Sequence, residues 1–413
     1  MYTLKYEGGS DVLIVQKFGG SSVANAERVF NVAKRIAETY KKGNDVVVVL
    51  SAQGDTTDDL IAKAKEISIN PAKREMDMLL STGEQQSVAL MAMALGELGY
   101  PCISLNAHQV GMTTTSKYGN ARLKKVKSDR IRMELDRKNI VIVTGFQGMN
   151  RFDDITTLGR GGSDTTAVAI AAALHADQCE IYTDVEGVYT ADPRVVPHAR
   201  KLEEITYDEM LELASLGAKV LHNRSVELAK KYNVELVVRS SLTQAEGTVV
   251  KEVCKMERML INGVAGDDEI ARVSILGIGD TPGKAFDIFS TLAKKDINVD
   301  IILQSIGRDG KKDISFTVEA SALADAKEVV SQNMERWRAT SVDYNEELAK
   351  VSVVGAGMVA NAGVASKMFE AMYDANINIH MISTSEIKIS ILIDKKEMRK
   401  AMNAIHDAFQ LVD

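Results

Sequence analysis

The last third of the chain repeats itself, and this repeat limits the available folds more than any other feature. Ala271-Arg272-Val273-Ser274-Ile275-Leu276-Gly277-Ile278-Gly279 resembles Ala349-Lys350-Val351-Ser352-Val353-Val354-Gly355-Ala356-Gly357. Further on, Ile297-Asn298-Val299-Asp300 matches Ile377-Asn378-Ile379-His380, with two extra residues in the second copy's first loop. Both copies continue into an alternating strand, Asp313–Val318 and Lys388–Ile393, and then a helical stretch. A period of about 80 residues exceeds solenoid periods, so each copy is a small domain of its own. Each spells βαββα. The first copy adds a strand near Ser341 to Asn345, whereas the second reaches the chain end one strand short. The apolar segment Met259-Leu260-Ile261-Asn262-Gly263-Val264-Ala265 precedes the first copy and can supply the missing strand. The expected division is 1–255, then 268–345, then a discontinuous unit of 259–266 plus 346–413.

The first half alternates differently. Val12-Leu13-Ile14-Val15 is a short apolar run ending at Gly19-Gly20. Val29, Val32, Ala33, Ile36, Ala37 and Tyr40 then fall at helical spacing. Val46 to Leu50 is an unbroken β-branched and leucine run, as in a strand covered on both faces. Asp77–Leu98 and Thr165–Leu174 read as helices, and Ile140–Val143 and Cys179–Thr183 as buried strands. Repeated β-then-α order implies an α/β sandwich around a largely parallel sheet, with functional loops at the strands' carboxyl ends.

Composition narrows the function. Fifty basic against 57 acidic residues give a net charge of −7, which argues against general nucleic-acid or anionic-membrane binding. Cys102, Cys179 and Cys254 are far apart, without a CxxC, so neither a disulfide framework nor a zinc knuckle is expected. Three free thiols fit a reducing cytoplasm. No histidines stand at HExxH spacing, and no metal held by side chains is expected. The polar start carries no apolar signal-peptide core, and no apolar run reaches membrane-spanning length.

Several motifs carry chemistry. Gln16-Lys17-Phe18-Gly19-Gly20-Ser21-Ser22 joins a buried strand to a helix, so backbone N–H groups and a lysine can meet an anion. It is not a Walker A loop, because the lysine precedes the glycines. By itself it is compatible with an ordinary tight turn. Leu158-Gly159-Arg160-Gly161-Gly162-Ser163-Asp164 also opens a helix, with Ser163 or Asp164 as its expected N-cap and Arg160 suited to bidentate carboxylate recognition. Two such loops suggest a ligand with an anion at each end. Thr183-Asp184-Val185-Glu186-Gly187-Val188-Tyr189-Thr190-Ala191-Asp192-Pro193-Arg194 follows a strand, as a nucleotide loop would, or a solvated Asp-Pro turn. Glu84, in Ser81-Thr82-Gly83-Glu84, sits among apolar residues and calls for a cationic partner. Ser51-Ala52-Gln53-Gly54-Asp55-Thr56-Thr57 closes another strand.

In register over nearly the whole chain, these motifs resemble the aspartate kinase family of the monofunctional bacterial type, with two C-terminal ACT domains. The resemblance implies an amino-acid-kinase fold, an αβα sandwich with a mainly parallel sheet, followed by two βαββαβ ferredoxin-like ACT domains. It implies transfer of the ATP γ-phosphoryl group to the side-chain carboxylate of L-aspartate, giving 4-phospho-L-aspartate. That is the entry step to lysine, threonine, methionine and diaminopimelate synthesis. By position, Lys17, Phe18, Gly19, Gly20, Ser51, Ser163, Thr183, Asp184, Tyr189, Arg194, Lys219 and Val220 contact nucleotide. Thr57, Glu84, Arg160, Gly161, Gly162 and Ser163 hold aspartate. Lys17, Arg160 and Asp164 are the implied catalytic residues, with Asp164 orienting Lys17. ATP is expected with Mg²⁺ held mainly by its phosphates.

The resemblance also implies feedback by lysine, threonine or both at the ACT units. Asp280, Pro282, Gly283, Ala285 and Gln304 belong to one implied pocket; Val359, Ala360, Asn376, Ile377, Asn378, Ile379, Ser383, Thr384, Ser385 and Glu386 form the other wall. Gly355-Ala356-Gly357-Met358-Val359-Ala360 matches a dinucleotide fingerprint, but too little chain follows for a doubly wound domain, and the first copy carries the same loop. Expected assemblies are a homo-oligomer through the ACT domains, or a heterotetramer with a shorter subunit started at Met256 or Met259. The alternatives are a kinase of the same fold acting on another carboxylate, and a non-catalytic amino-acid sensor.

Overall fold

The computed structural model describes residues 12–216, 220–254, 261–305, 307, 310–358, 361 and 363–411. These divide into two units: 12–188, 201–214 and 220–254 form one, and 189–200, 215–216 and 261–411 the other.

The first unit is built on an eight-stranded sheet. Its six consecutive parallel strands are, in spatial order, Leu236–Ser240, Gln178–Thr183, Leu13–Phe18, Asp45–Leu50, Ile140–Thr144 and Cys102–Leu105. Thr248–Lys251 joins Leu236–Ser240 antiparallel, and Glu204–Thr206 forms the edge. The β-branched run at 46–50 is fully covered, as a central parallel strand must be. One sheet face (Val46, Val48, Leu50, Ile140, Ile142) packs on apolar stripes of the helices Ala26–Lys41 and Lys73–Glu97. On Ala26–Lys41 the stripe is Val29, Val32, Ala33 and Ile36 at helical period, and Glu27 and Lys41 complement the dipole at its ends. The helix Gly162–Leu174 is rich in alanine, so its backbone approaches strands 13–18 and 45–50 closely. In the register, Phe18 lies beside Leu50 and Tyr182, and Leu50 beside Thr144. The loops after these strands therefore emerge along one edge.

A second, small sheet (Leu123–Lys125, Thr113–Thr114, Gln147–Met149, Ile155–Thr157) leads into the Arg160 loop.

The other unit contains two four-stranded sheets. In the first, Ile270–Gly279, Lys284–Ala293, Ile302–Gln304, Lys311–Glu319, Leu323–Trp337 and Ser341–Asn345 give βαββαβ, closed over Phe316 and the buried Trp337. The second comprises Leu348–Val354, Val364–Asp374, Met381–Thr384, Lys388–Asp394 and Met398–Ala408. Its edge strand is Gly263–Asp267, antiparallel to Leu348–Val354, where the first copy uses Ser341–Asn345. Residues 259 and 260 lie outside the described residues.

Residues 189–200, placed by sequence within 1–255, group with this second unit. The Val264 amide donates to the Thr190 carbonyl (2.7 Å), and the Asn403 side-chain amide donates to the Val195 carbonyl (3.0 Å). The Thr190 hydroxyl accepts from the Arg200 amide (2.9 Å) and bonds His406 Nε2 (2.9 Å). Ala191 and Val196 are buried with Ile261, Val264, Met402 and Ile405. Shared apolar burial and three hydrogen bonds to residues beyond 260 outweigh sequence proximity here.

Candidate active site

Lys17 and Asp164 meet at the carboxyl edge of the large sheet. Lys17 Nζ lies 2.7 Å from Asp164 Oδ1, and both side chains are 12% exposed. A pair so nearly desolvated holds one geometry, leaving the ammonium beside Gly19, where an added Cβ would lie 3.5 Å from Lys17 Nζ. Gly20 packs its α-carbon on the neighbouring strand end. A Cβ there would stand 2.5 Å from the Ala52 carbonyl oxygen, and the Gly20 carbonyl accepts from Gly54 N–H (3.0 Å). Gly20 is thus a position that no larger residue can fill, whereas a Cβ at Gly19 would make only an ordinary contact. Phe18 stacks on Tyr182 with ring centroids 4.4 Å apart.

The expected cap at Ser163 or Asp164 is corrected. Gly161, at φ 66°, occupies the N-cap position of Gly162–Leu174 and supplies no side-chain cap. This frees both side chains: Asp164 for Lys17, and Ser163 Oγ for Ser51 Oγ at 2.9 Å.

Glu84 faces the loop after Asp45–Leu50. It is 3% exposed, its Oε1 accepts from Ala52 N–H (3.1 Å), and its buried Oε2 has no partner among the described residues. Burial pushes its carboxyl up to about 7 against the pull of the backbone amides. An unsatisfied, desolvated carboxylate is a receptor for a cation. Arg160 is exposed between the left-handed Gly159 and Gly161, with no hydrogen-bond or ion-pair partner among the described residues. Gly162 packs under Phe146 and Leu158. Thr57 is the second residue of the helix Thr56–Ile67 and is half-buried.

The structure therefore brings Lys17, Gly19, Gly20, Ser51, Ser163, Asp164 and Glu84 to one edge. Thr183 Oγ1 donates to Asp184 Oδ1 (3.0 Å) in the same unit. Tyr189 and Arg194 belong to the second unit, where Arg194 forks onto Asp192 (2.8 Å). Val220 is half-buried, and Lys219 lies outside the described residues. Sequence reasoning passed over Asp77 and Arg224, which hold the backbone beneath the Arg160 loop. Their partners are mostly backbone groups far along the chain, so no spacing signalled them.

In the first repeat, Asp280 pairs with Lys312 (3.2 Å), Gly283 (φ 89°) caps Lys284–Ala293, and Ala285 packs on that unit's core; Pro282 and Gln304 are exposed. In the second, Asn376 takes φ 50°, Ile377 is buried, and Ile379 packs at the core's edge. Asn378 and Glu386 are exposed, Ser383 and Thr384 lie in strand Met381–Thr384, and the Ser385 amide donates to Lys388 O (2.8 Å). Val359 and Ala360 lie outside the described residues.

Among the described residues no three His, Cys, Asp or Glu side chains cluster as metal ligands, and no helix is long and apolar enough to cross a membrane.

Comparison with known proteins gives concordant matches. The amino acid kinase family matches residues 12–240, and the ACT domain matches 273–334 and 351–409. The aspartokinase of Bacillus sp. (strain MGA3) is 52% identical over 400 residues, 97% of each chain. Among solved structures, E. coli aspartokinase III in complex with aspartate and ADP, described as the R-state, is 26% identical. It covers 96% of this chain and 99% of its own, with a TM-score of 0.82. The same enzyme with lysine and aspartate, described as the T-state, gives 0.75 at the same identity and coverage.

Proposed function

The chain belongs to the aspartokinase family, and from that membership we propose how its residues carry out phosphoryl transfer from ATP to L-aspartate. The attacking group is a carboxylate, ionised at neutral pH, so no general base is needed. The work is positioning and charge neutralisation. Lys17, fixed by Asp164, neutralises the transferring phosphoryl group, and the Gly19-Gly20 amides cradle its oxygens. Glu84 takes the aspartate ammonium on its unsatisfied Oε2. Arg160, Ser163, Gly161 and Gly162 take the carboxylate end, with Ser51 and Thr57 at the junction. Phe18, Thr183, Asp184, Lys219 and Val220 complete the nucleotide side. The donor set of lysine and amides suits phosphate. A Mg²⁺ ion carried on the phosphates would add charge neutralisation.

The observation that carries this reading is the Lys17–Asp164 pair beside a glycine cradle, with a half-satisfied buried carboxylate at the adjoining strand end. An ATP-dependent hydroxamate assay with aspartate against glutamate tests it. Selective turnover of aspartate is expected, and equal turnover of glutamate would overturn the assignment.

We extend the proposal to regulation. Lysine, threonine or both bind at the two repeat domains, at Asp280, Pro282, Gly283, Ala285 and Gln304 and at the 359–360, 376–379 and 383–386 segments. The ACT match and the lysine complex of the E. coli relative support this. The second repeat domain is discontinuous, 259–266 plus 346–413, beside a first domain of 268–345 and a catalytic domain within 1–255. The protein acts in the cytoplasm as a homo-oligomer through these domains, or with a shorter subunit. Isothermal titration of lysine and threonine, separately and together, checks the effector claim; absence of heat from every combination would remove it.

A further inference from the structure

We propose that Asp77 and Arg224 are positioning residues that set Arg160 for the aspartate carboxylate by clamping the two backbone segments beneath its loop from opposite polarities. This rests on the reading of Arg160 given above.

Asp77 is buried on helix Lys73–Glu97, on the helix that also carries Glu84. Its carboxylate accepts the Gly119 N–H (2.9 and 3.0 Å), the Thr157 N–H (2.9 Å) and the Thr157 hydroxyl (2.7 Å). Arg224 sits at the start of helix Asn223–Tyr232. Its guanidinium donates to the carbonyl oxygens of Leu158 (2.5 Å) and Ala121 (2.9 Å) and to Asn120 Oδ1 (3.2 Å). The Ala121 amide donates to the Thr157 carbonyl (2.9 Å), closing the two segments together. One ion therefore takes their N–H groups and the other their C=O groups.

Each acts on backbone, and neither neutralises the other. A desolvated carboxylate spent on three donors, and a guanidinium spent on neutral carbonyls, is a costly way to stabilise a fold. It fits a need to hold one segment still. The segment that leaves the clamp is Gly159-Arg160-Gly161. Gly159 (φ 76°) lies against Gly119, where a Cβ would stand 3.2 Å from the carbonyl oxygen. Gly161 lies so close to His222 that a Cβ would sit 2.1 Å from its ring. Arg160 thus has a fixed backbone on both flanks and, between them, a side chain without a partner among the described residues. Misplacing such a group by about 1 Å can cost up to a hundredfold in rate.

The test uses the full chain with Asp77→Asn, Arg224→Gln, Arg224→Lys and Thr157→Val, varying aspartate and ATP separately. Asp77→Asn and Arg224→Gln should raise KM for aspartate about tenfold or more while KM for ATP moves less than about twofold. Arg224→Lys, keeping one charged donor, should recover part of that loss. Thr157→Val removes a single hydroxyl from the clamp and keeps the proposal testable if the charge variants fail to fold; it should raise KM for aspartate alone. Unchanged aspartate KM in Thr157→Val and in the folded charge variants, or equal rises for both substrates, overturns the proposal. A wild-type chain that does not turn over aspartate would instead overturn the functional reading itself.

Discussion

Glu84 gives a prediction in which stability and function pull apart. The carboxyl is raised from 4.5 to about 7 by burial, which corresponds to a penalty on its charged form of roughly 3 kcal/mol. The folded state therefore binds the Glu84 proton more tightly than the unfolded state does. Between pH 4.5 and about 7 the folded state holds more of that proton, so this group's contribution to stability falls as the pH rises. Glu84→Gln keeps an oxygen for the Ala52 amide and removes the charge. At pH 8 and without ligand, the variant should be more stable than wild type by about 1–3 kcal/mol, and the difference should shrink toward zero near pH 4.5. Adding aspartate should reverse the order. Its ammonium satisfies the wild-type carboxylate and raises the melting temperature, whereas the variant gains little. The assay is thermal unfolding of both proteins at pH 5 and pH 8, with and without aspartate. A variant no more stable than wild type at pH 8, or one stabilised by aspartate as strongly as wild type, would refute the reasoning.

Lys17→Ala should lower kcat by at least about a hundredfold while leaving the circular dichroism spectrum intact, since the side chain supplies charge rather than core; near-normal turnover would contradict its role. Thr190→Val keeps shape but deletes the hydroxyl that bonds His406 and the Arg200 amide, and should destabilise the second unit by about 1–3 kcal/mol in urea unfolding. Burial holds His406 below its ordinary 6.5, with Asp407 pulling the other way and His198 adding to the depression. The unfolded chain then binds this proton more readily, so the second unit should lose stability as the pH falls below 6.5, and His406→Gln should flatten that slope.

Much of this architecture is legible in the sequence because it depends on local pattern. The run at 46–50, the apolar period at 29–40 and the repeat each specify a burial scheme, and strands and helices form there. Lys17 and Glu84 were legible as a charge beside glycines and a charge among apolar residues. The rest depends on contacts without a pattern. The strands at 113–114 and 147–149 are too short to show a period. The cap misreading at Ser163 arose because a left-handed glycine had already turned the chain, so the hydroxyl was free to bond Ser51. Asp77 and Arg224 act on peptide groups, which look alike in any sequence.

The placement of residues 189–200 bears on how the molecule can be taken apart. A polypeptide starting at Met256 or Met259 lacks Thr190, so the Val264 amide and His406 Nε2 lose their partners, and the floor under Ile261 and Met402 is missing. The complementary piece, ending near residue 255, carries Ala191 and Val196 with nothing to bury them. A single cut therefore leaves matching wounds on both fragments. A synthetic peptide of residues 189–200, supplied in trans, is the natural dressing for the shorter one.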